Sequence, residues 1–268
     1  MKISSLYRYP VKSMLGETLG ALELDDHGVV GDRALALVDA EAGRIASAKQ
    51  PRHWRALLTC RSRVDDGAVT VTLPDGRTLT ADSGSEVEQA LSALLGRAVT
   101  LSARRNDGAV LERPEPDEVL AEGLDAEVDA PLLEMAAGAP GGRFVDHSPV
   151  HLITTATLDA LGVDALRYRP NVVVETPEGT PPFVENDWMS RPLTLGAATI
   201  VPTLPTPRCV LPTLEQGDLP RDPSALHGPA RRNRVPVEGF GDLLPCAGLY
   251  ARVETPGAVR VGDVVTLG

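Results

Sequence analysis

The chain has 268 residues, ample for a real core in one large domain or two small ones, and is 43% hydrophobic but only 3% aromatic. A formal net charge of −11 excludes a general nucleic-acid binder, which replaces counterions with a basic surface, while leaving room for an anionic ligand at locally clustered arginines. Three cysteines (Cys60, Cys209, Cys246) make no even disulfide framework and no C-x-x-C pair. That excludes a self-contained all-cysteine iron–sulfur cluster and fits a reducing compartment.

The opening M-K-I-S-S-L-Y-R-Y-P lacks the apolar stretch of a signal peptide. No apolar run approaches the roughly 20 residues that cross a bilayer, so a cytoplasmic protein with no membrane partner is expected. Residues 2–10 alternate as a first strand closed by Pro10, and Lys12-Ser13 follow on a turn as a solvated pair or as an ammonium and hydroxyl for a ligand. Thr18–Leu24 alternates again before the D-D-H-G turn. Arg33 stands at the mouth of a strand from about Ala34 to Asp39, placed either to pair with Asp32 or to clamp an anion with its planar fork. Ile45–Ala48 reads as a returning strand, with Lys49 and Arg52 bringing further positive charge to that end. Strands are then expected at Ala56–Val64, Ala68–Leu73, Arg77–Thr80 and Val99–Ala103, the rhythm of an antiparallel barrel or sandwich rather than a βαβ fold. One helix interrupts them, Ser85–Leu95, with Ser83 or Ser85 as cap and Val87, Leu91, Leu94 and Leu95 on one face.

Residues 106–142 are acidic and proline-bearing, then small and flexible, and read as a long connecting excursion with a short helix near Asp117–Glu122. Phe144–Thr154 reads as a strand. Pro149 between His147 and His151 argues against a helical pair of metal ligands, and scattered histidines argue against zinc. Thr154 or Thr155 caps a short helix, Ala156–Leu161, stopped by Gly162. In R-Y-R-P-N-V-V-V, Arg169 and Asn171 put donors at the mouth of a buried strand, with ion pairing to surface acids as the plainer reading. Two strands around Gly196 lead into P-T-P-R-C-V-L-P-T-L-E-Q. There Pro205, Pro207 and Pro212 stiffen the backbone around Cys209. Free cysteine is most often a small buried hydrophobe. Arg208 beside it instead favours a thiolate, the nucleophilic and metal-binding form. Arg221, Arg231, Arg232 and Arg234 then form a positive island, and two alternating strands joined by a P-G turn close the chain. The expected fold class is mainly β (α+β): an antiparallel β-barrel-like domain over residues 1–105, a connecting segment 106–142, and a second domain over 143–268 with a few short helices.

Y-P-V-K-S (9–13), G-D-R (31–33), H-L-I-T-T-A-T-L (151–158), Y-R-P-N-V-V-V (168–174), D-W-x-x-x-x-L-x-L-G (187–196), R-C-V-L-P-T-L-E-Q (208–216) and G-A-V-R-V-G-D-V-V-T-L (257–267) together resemble the MOSC family, in particular its amidoxime-reducing members. The resemblance implies an N-terminal β-barrel domain followed by a MOSC-type β-barrel domain. It also implies a molybdenum cofactor, a pterin with an enedithiolate and a phosphate, with Cys209 as the protein thiolate on the metal. Lys12, Ser13 and Arg33 match contacts to the phosphate end. Arg169, Asn171, Arg208 and the hydroxyl of Thr154 or Thr155 match further cofactor contacts. A soft thiolate suits oxygen-atom transfer at a metal that carries the redox chemistry. The implied activity is reduction of N-hydroxylated small molecules, with electrons from a separate ferredoxin- or cytochrome-type partner. A sulfur-transfer enzyme using a Cys209 persulfide and a non-catalytic cofactor carrier are the alternatives. The chain departs from the amidoxime-reducing pattern at Pro207, Pro212-Thr213, Lys49 and Ala34, near the substrate side.

Overall fold

The computed structural model describes residues 1–81, 84–139, 141–240 and 243–268. The molecule is built mainly of strands with a few short helices. Its backbone is a nine-stranded sheet in the order Val265–Leu267, Leu193–Leu195, Ala198–Pro207, Leu243–Thr255, Val150–Thr154, Val172–Glu175, Lys2–Arg8, Glu17–Leu19, with Arg234–Pro236 paired to the long strand Leu243–Thr255. The chain's first strand therefore pairs not with its sequence neighbours alone but with Val172–Glu175, Leu6 lying opposite Val172. Among the described residues the sheet does not close into a ring; Lys2 and Val264 touch through an isolated bridge.

The apolar alternation of these strands points one way. Ile3, Leu6, Leu152, Val172, Val174, Leu193, Ile200 and Leu249 form a single buried cluster with Trp188. A second cluster gathers Val11, Met14, Leu37, Trp54, Leu57, Val71, Val87 and Leu91 from the first hundred residues. Helix Ser85–Leu95 forms as its apolar spacing predicts, and Gly96 ends it in the left-handed conformation (φ 65°). Ser83 lies outside the described residues, and the residue preceding the helix is Gly84.

Several expectations change. Thr18–Leu24 splits at Gly20 into Glu17–Leu19 and Ala21–Asp25, and the chain closes with three strands, of which Gly257–Arg260 pairs with Ala21–Asp25 rather than folding back on Leu243–Thr255. Ala56–Thr59 is not strand: Pro51–Trp54 is helical and Arg55–Thr59 is a 3-10 turn, so the strand is only Arg61–Asp65. Pro51 at the first helical position starts that turn. Ile45 makes one isolated bridge to Val38 instead of a strand. The strand expected from Phe144 begins at Val150, after Pro149. One pair, Val150–Thr154 with Val172–Glu175, runs parallel, because helices Thr155–Leu161 and Ala165–Tyr168 carry the crossover between them. The excursion 106–142 contains a hairpin, Val110–Glu112 with Leu132–Glu134, and the helix Pro116–Glu122. Among the described residues no helix is long and apolar enough to cross a membrane.

Proline sets the exit of the chain toward the site. Pro202, Pro205 and Pro207 donate no hydrogen bond, and the ladder between Ala198–Pro207 and Leu243–Thr255 shifts register at Pro202/Leu204 and Pro205/Pro207. After Pro207 the chain leaves the sheet at Arg208 and Cys209, then turns through Leu211–Thr213.

Candidate functional site

A cavity of about 410 Å³ lies where strand ends and turns from distant parts of the chain meet. Lys12 and Ser13, Arg33, Lys49, Asp146, Arg169 and Asn171, and Arg208 and Cys209 all line it. Seven non-glycine residues have positive φ among the described residues, and Ser13 (65°), Arg33 (43°) and Arg169 (55°) are three of them. Left-handed backbone at side chains that bear a Cβ costs energy and collects where a side chain must be aimed. Arg169 owes its conformation to capping Ala165–Tyr168, its N–H bonding the Ala165 and Leu166 carbonyls.

The cations are held in two ways. Lys12 Nζ donates to Asp146 Oδ1 (2.5 Å) and to the Phe144 carbonyl (3.3 Å), and Lys49 Nζ lies 3.1 Å from Asp146 Oδ2. Burial pushes Lys12 down to about 8, partly opposed by Asp146. Burial pushes the Asp146 carboxyl up, but the Lys12 and Lys49 ammoniums outweigh it and hold it well below the usual carboxylate range. One carboxylate therefore serves two ammoniums, and the trio carries a net positive charge.

Arg33 pairs with buried Asp32 (2.5 Å) and reaches the Arg169 carbonyl (3.1 Å) and Asn171 Oδ1 (3.4 Å). Arg33 thus has its acid and also lines the cavity. The Tyr9 ring carries Arg33 at 4.6 Å and Arg169 at 4.3 Å, two guanidiniums on one aromatic residue. Among the described residues Arg169 has no carboxylate and both its buried terminal nitrogens have no hydrogen-bond partner; burial, reinforced by Arg33, lowers it to about 10. A buried guanidinium with unmet donors is costly unless an anion completes it.

Arg208 is a strut. Its guanidinium donates to the Ala247 and Tyr168 carbonyls and to His151 Nε2 (2.7 Å), and it lies 4.4 Å over the Tyr168 ring. A guanidinium only donates, so Nε2 of His151 accepts and the imidazole proton sits on Nδ1. Burial, then Arg208, pushes His151 well below its ordinary range, consistent with a neutral ring. Gly248 (φ 77°) passes close behind, where a Cβ would fall 2.5 Å from the Leu152 carbonyl oxygen and 2.8 Å from His151 Nε2. Arg167 pins the far side of the cysteine loop through the Pro212 (3.3 Å) and Leu214 (3.1 Å) carbonyls. Cys209 is the only one of the three cysteines that is not fully buried.

Lys12, Ser13, Arg33, Arg169, Asn171, Arg208 and Cys209 are therefore brought together. Thr154 and Thr155 are not. Thr154 is fully buried, caps Thr155–Leu161 by accepting from Thr157 N (3.3 Å), and donates to Glu185 Oε2 (2.7 Å). Thr155 faces Thr176 (3.3 Å). Their hydroxyls are used by the crossover itself. Thr154→Val should cost about 2 kcal/mol, from a lost cap and a buried Glu185 oxygen stripped of a donor. Denaturant unfolding should report that loss with ligand retention per folded molecule unchanged; the reverse pattern would return Thr154 to the site. Asp146, His151 and Tyr250 also line the cavity, which sequence reasoning does not anticipate. The sequence signal for Asp146 is D-H-S-P, a polar run just before a proline and a buried strand.

Residues 1–110 match the family model described as the MOSC N-terminal beta barrel domain, and residues 141–266 match the one described as the MOSC domain. The chain belongs to the MOSC family. The MOSC domain thus supplies Arg169, Asn171, Arg208 and Cys209, and the N-terminal domain supplies Lys12, Ser13, Arg33 and Lys49. The chain is 24% identical over 299 residues to mitochondrial amidoxime reducing component 2 of Rattus norvegicus, spanning 98% of this chain and 82% of that one. It is 23% identical over 297 residues to mitochondrial amidoxime-reducing component 1 of Homo sapiens, spanning 99% and 82%. A crystal structure of the YuaD protein from Bacillus subtilis is similar at a TM-score of 0.44 and 12% identity, over 98% of this chain and 93% of that one.

Proposed function

We propose that this MOSC protein is an oxidoreductase that reduces N-hydroxylated small molecules, using a molybdenum–pterin cofactor held in the cavity and electrons from a separate protein. The observation that carries the reading is Arg169: a buried guanidinium with two orphaned terminal nitrogens, converging with Arg33 and Lys12 beside a half-buried thiol. Such a set suits one ligand with an oxyanion at one end and a soft metal at the other. Lys12, Ser13, Arg33, Arg169 and Asn171 would hold the phosphate and pterin end, and Cys209 would be the protein's ligand to the metal. Among the described residues no group of three or more His, Cys, Asp or Glu could hold a metal ion, so the remaining ligands would come from the cofactor. When bound, that group supplies oxygen-atom transfer chemistry. The chain's part is to bind, orient and neutralise. Arg208, fixed by His151 and the Ala247 carbonyl, sets the backbone from which Cys209 projects. The names of the rat and human relatives support amidoximes as the substrate type.

The test is elemental and cofactor analysis of protein purified from a host with intact cofactor synthesis. One molybdenum and one pterin per chain, with benzamidoxime reduced by an artificial donor, are expected; protein free of both would sink the reading. A sulfane sulfur on Cys209 without molybdenum would favour sulfur transfer instead, for which the half-buried thiol is equally placed.

A further inference from the structure

Arg221, Arg231, Arg232 and Arg234 fall within fourteen positions of a chain whose net charge is −11, and all four are exposed. None lines the cavity, and none forms an ion pair among the described residues. A cation in the last turn of Ser224–Arg232 complements the helix dipole, which accounts for Arg231 and Arg232. It does not account for Arg221 or Arg234, which lie outside the helix. Two of the four are held by neutral groups. Arg232 donates to the Ala160 carbonyl and lies 5.9 Å over Phe183; Arg234 donates to the carbonyls of Ala230 (3.0 Å) and Leu243 (3.2 Å). Carbonyl partners fix a guanidinium in place without cancelling its charge.

The turn that carries Arg232 and Arg234 connects directly to the cysteine, and the segment carrying Arg221 packs on the loop after it. Between Arg232 and Arg234, Asn233 accepts from Cys246 N (3.0 Å) through its backbone carbonyl and donates from Nδ2 to the Cys246 carbonyl (2.9 Å). The neighbouring Pro245 carbonyl accepts from Arg208 N (2.8 Å), and Arg208 is bonded to Cys209. Two backbone hydrogen bonds and the peptide units between them thus lead from the arginine-bearing turn to the sulfur. Asp222 N, next to Arg221, bonds the Thr213 carbonyl (2.9 Å) in the turn after Cys209.

We propose that this face is the docking site of an acidic one-electron redox protein, which passes electrons to the cavity through the backbone behind Cys209. Docking there rests on the reductase reading above and adds to it the face that receives electrons. Each turnover converts N–OH to N–H and water with two electrons and two protons, so two reduced partner molecules dock in turn and leave oxidised. A compact acidic protein matches a patch that acts over a Debye length of about 10 Å. An extended polyanion or an anionic membrane would run beyond it onto the acidic remainder of the chain.

The test uses the full-length, cofactor-loaded protein, reduced plant-type ferredoxin as the acidic probe, and the double variant Arg231→Glu/Arg234→Glu, with Arg221→Glu as a second variant. The double variant should lower the ferredoxin-dependent rate about tenfold and flatten its salt dependence, since rim charges act on association. Turnover with reduced methyl viologen should stay at the wild-type value. An unchanged ferredoxin rate, or equal loss with both donors, overturns the docking site. A calorimetric titration of ferredoxin at low salt needs no molybdenum. Binding by the wild type and not by the variants supports the site; no binding, or binding of duplex DNA or phosphatidylserine vesicles in its place, overturns it. A wild type that fails with methyl viologen but binds ferredoxin through these arginines would defeat the reductase reading alone.

Discussion

Cys209→Ala should leave a folded protein that retains no molybdenum and does not reduce benzamidoxime above background. Losing a partner that merely orients a metal ligand typically costs 10- to 100-fold in affinity or activity, so losing the ligand itself should exceed about 100-fold. The fold should barely register the change. Cys209 is half-buried at the edge of a cluster built from Ala48, Leu58, Val119, Val210, Leu211 and Leu214. Deleting one sulfur there should cost about 1 kcal/mol or less, a fall in melting temperature under about 4 °C for a chain of this size. The loop is anchored independently of the thiol by Arg167 on the Pro212 and Leu214 carbonyls and by Arg208 N on the Pro245 carbonyl. Metal content by mass spectrometry, the melting curve and turnover together decide it. A variant with wild-type molybdenum and turnover would remove Cys209 from the chemistry.

Asp146→Asn should move stability and anion affinity in opposite directions. The carboxylate balances two buried ammoniums, Lys12 and Lys49. Breaking a fully buried pair costs about 3–5 kcal/mol. A third of the Asp146 side chain is exposed to the cavity, so solvent screens part of this and about 2 kcal/mol is expected at neutral pH. The same substitution raises the cavity's charge by one unit, so pyrophosphate should bind several-fold tighter, about 1 kcal/mol at contact distance in a water-like medium. The pH profile carries two signs. The folded Asp146 carboxyl lies below its ordinary value, so its contribution is fully present above the unfolded pKa of about 3.9 and is lost as pH falls through the depressed folded value. Lys12 titrates lower in the fold, at about 8 against 10.5, so the folded state gains stability from it as pH rises between these values. Without Asp146, which holds Lys12 up, that gain should begin at lower pH. Denaturant unfolding across pH, with phosphate-series titrations, measures both. Unchanged stability at neutral pH would show that the lysines are neutral or solvated and that Asp146 balances nothing.

Much of the site was legible because its chemistry sits in short, punctuated segments. Lys12-Ser13 follow Pro10, Arg33 follows Gly31, Arg169 and Asn171 flank Pro170, and Cys209 lies between Pro207 and Pro212. In each, a residue that restricts or frees φ marks the end of an apolar run, and a donor stands beside it. Local rules reach that far because turn propensity and apolar periodicity act over a few residues. The same rules mark Thr154 or Thr155 as a helix cap, as Thr154 is, whereas a ligand contact there is implied only by the family resemblance, since a hydroxyl at a helix start looks alike whether it caps the helix or meets a ligand. What chose was Glu185, thirty-one positions away.

By itself the sequence determined a mostly β chain, the turns, and which side chains were available to hold an anion and a soft metal. The tertiary structure decided who partners whom: Asp146 beneath Lys12 across 134 positions, Arg208 on His151 across 57, and the first strand paired into the sheet of the second half. It also decided that Arg169, alone among the site cations within the described residues, is left with orphaned terminal nitrogens, whereas Arg33 has Asp32 and Lys12 shares Asp146 with Lys49. The reason is that backbone preference is local, whereas desolvation and ion pairing depend on which groups burial brings together. Cys209 was recognisable as a stiffened thiol from its neighbours. Only the cavity gathered around it distinguishes that thiol from two others buried in packing.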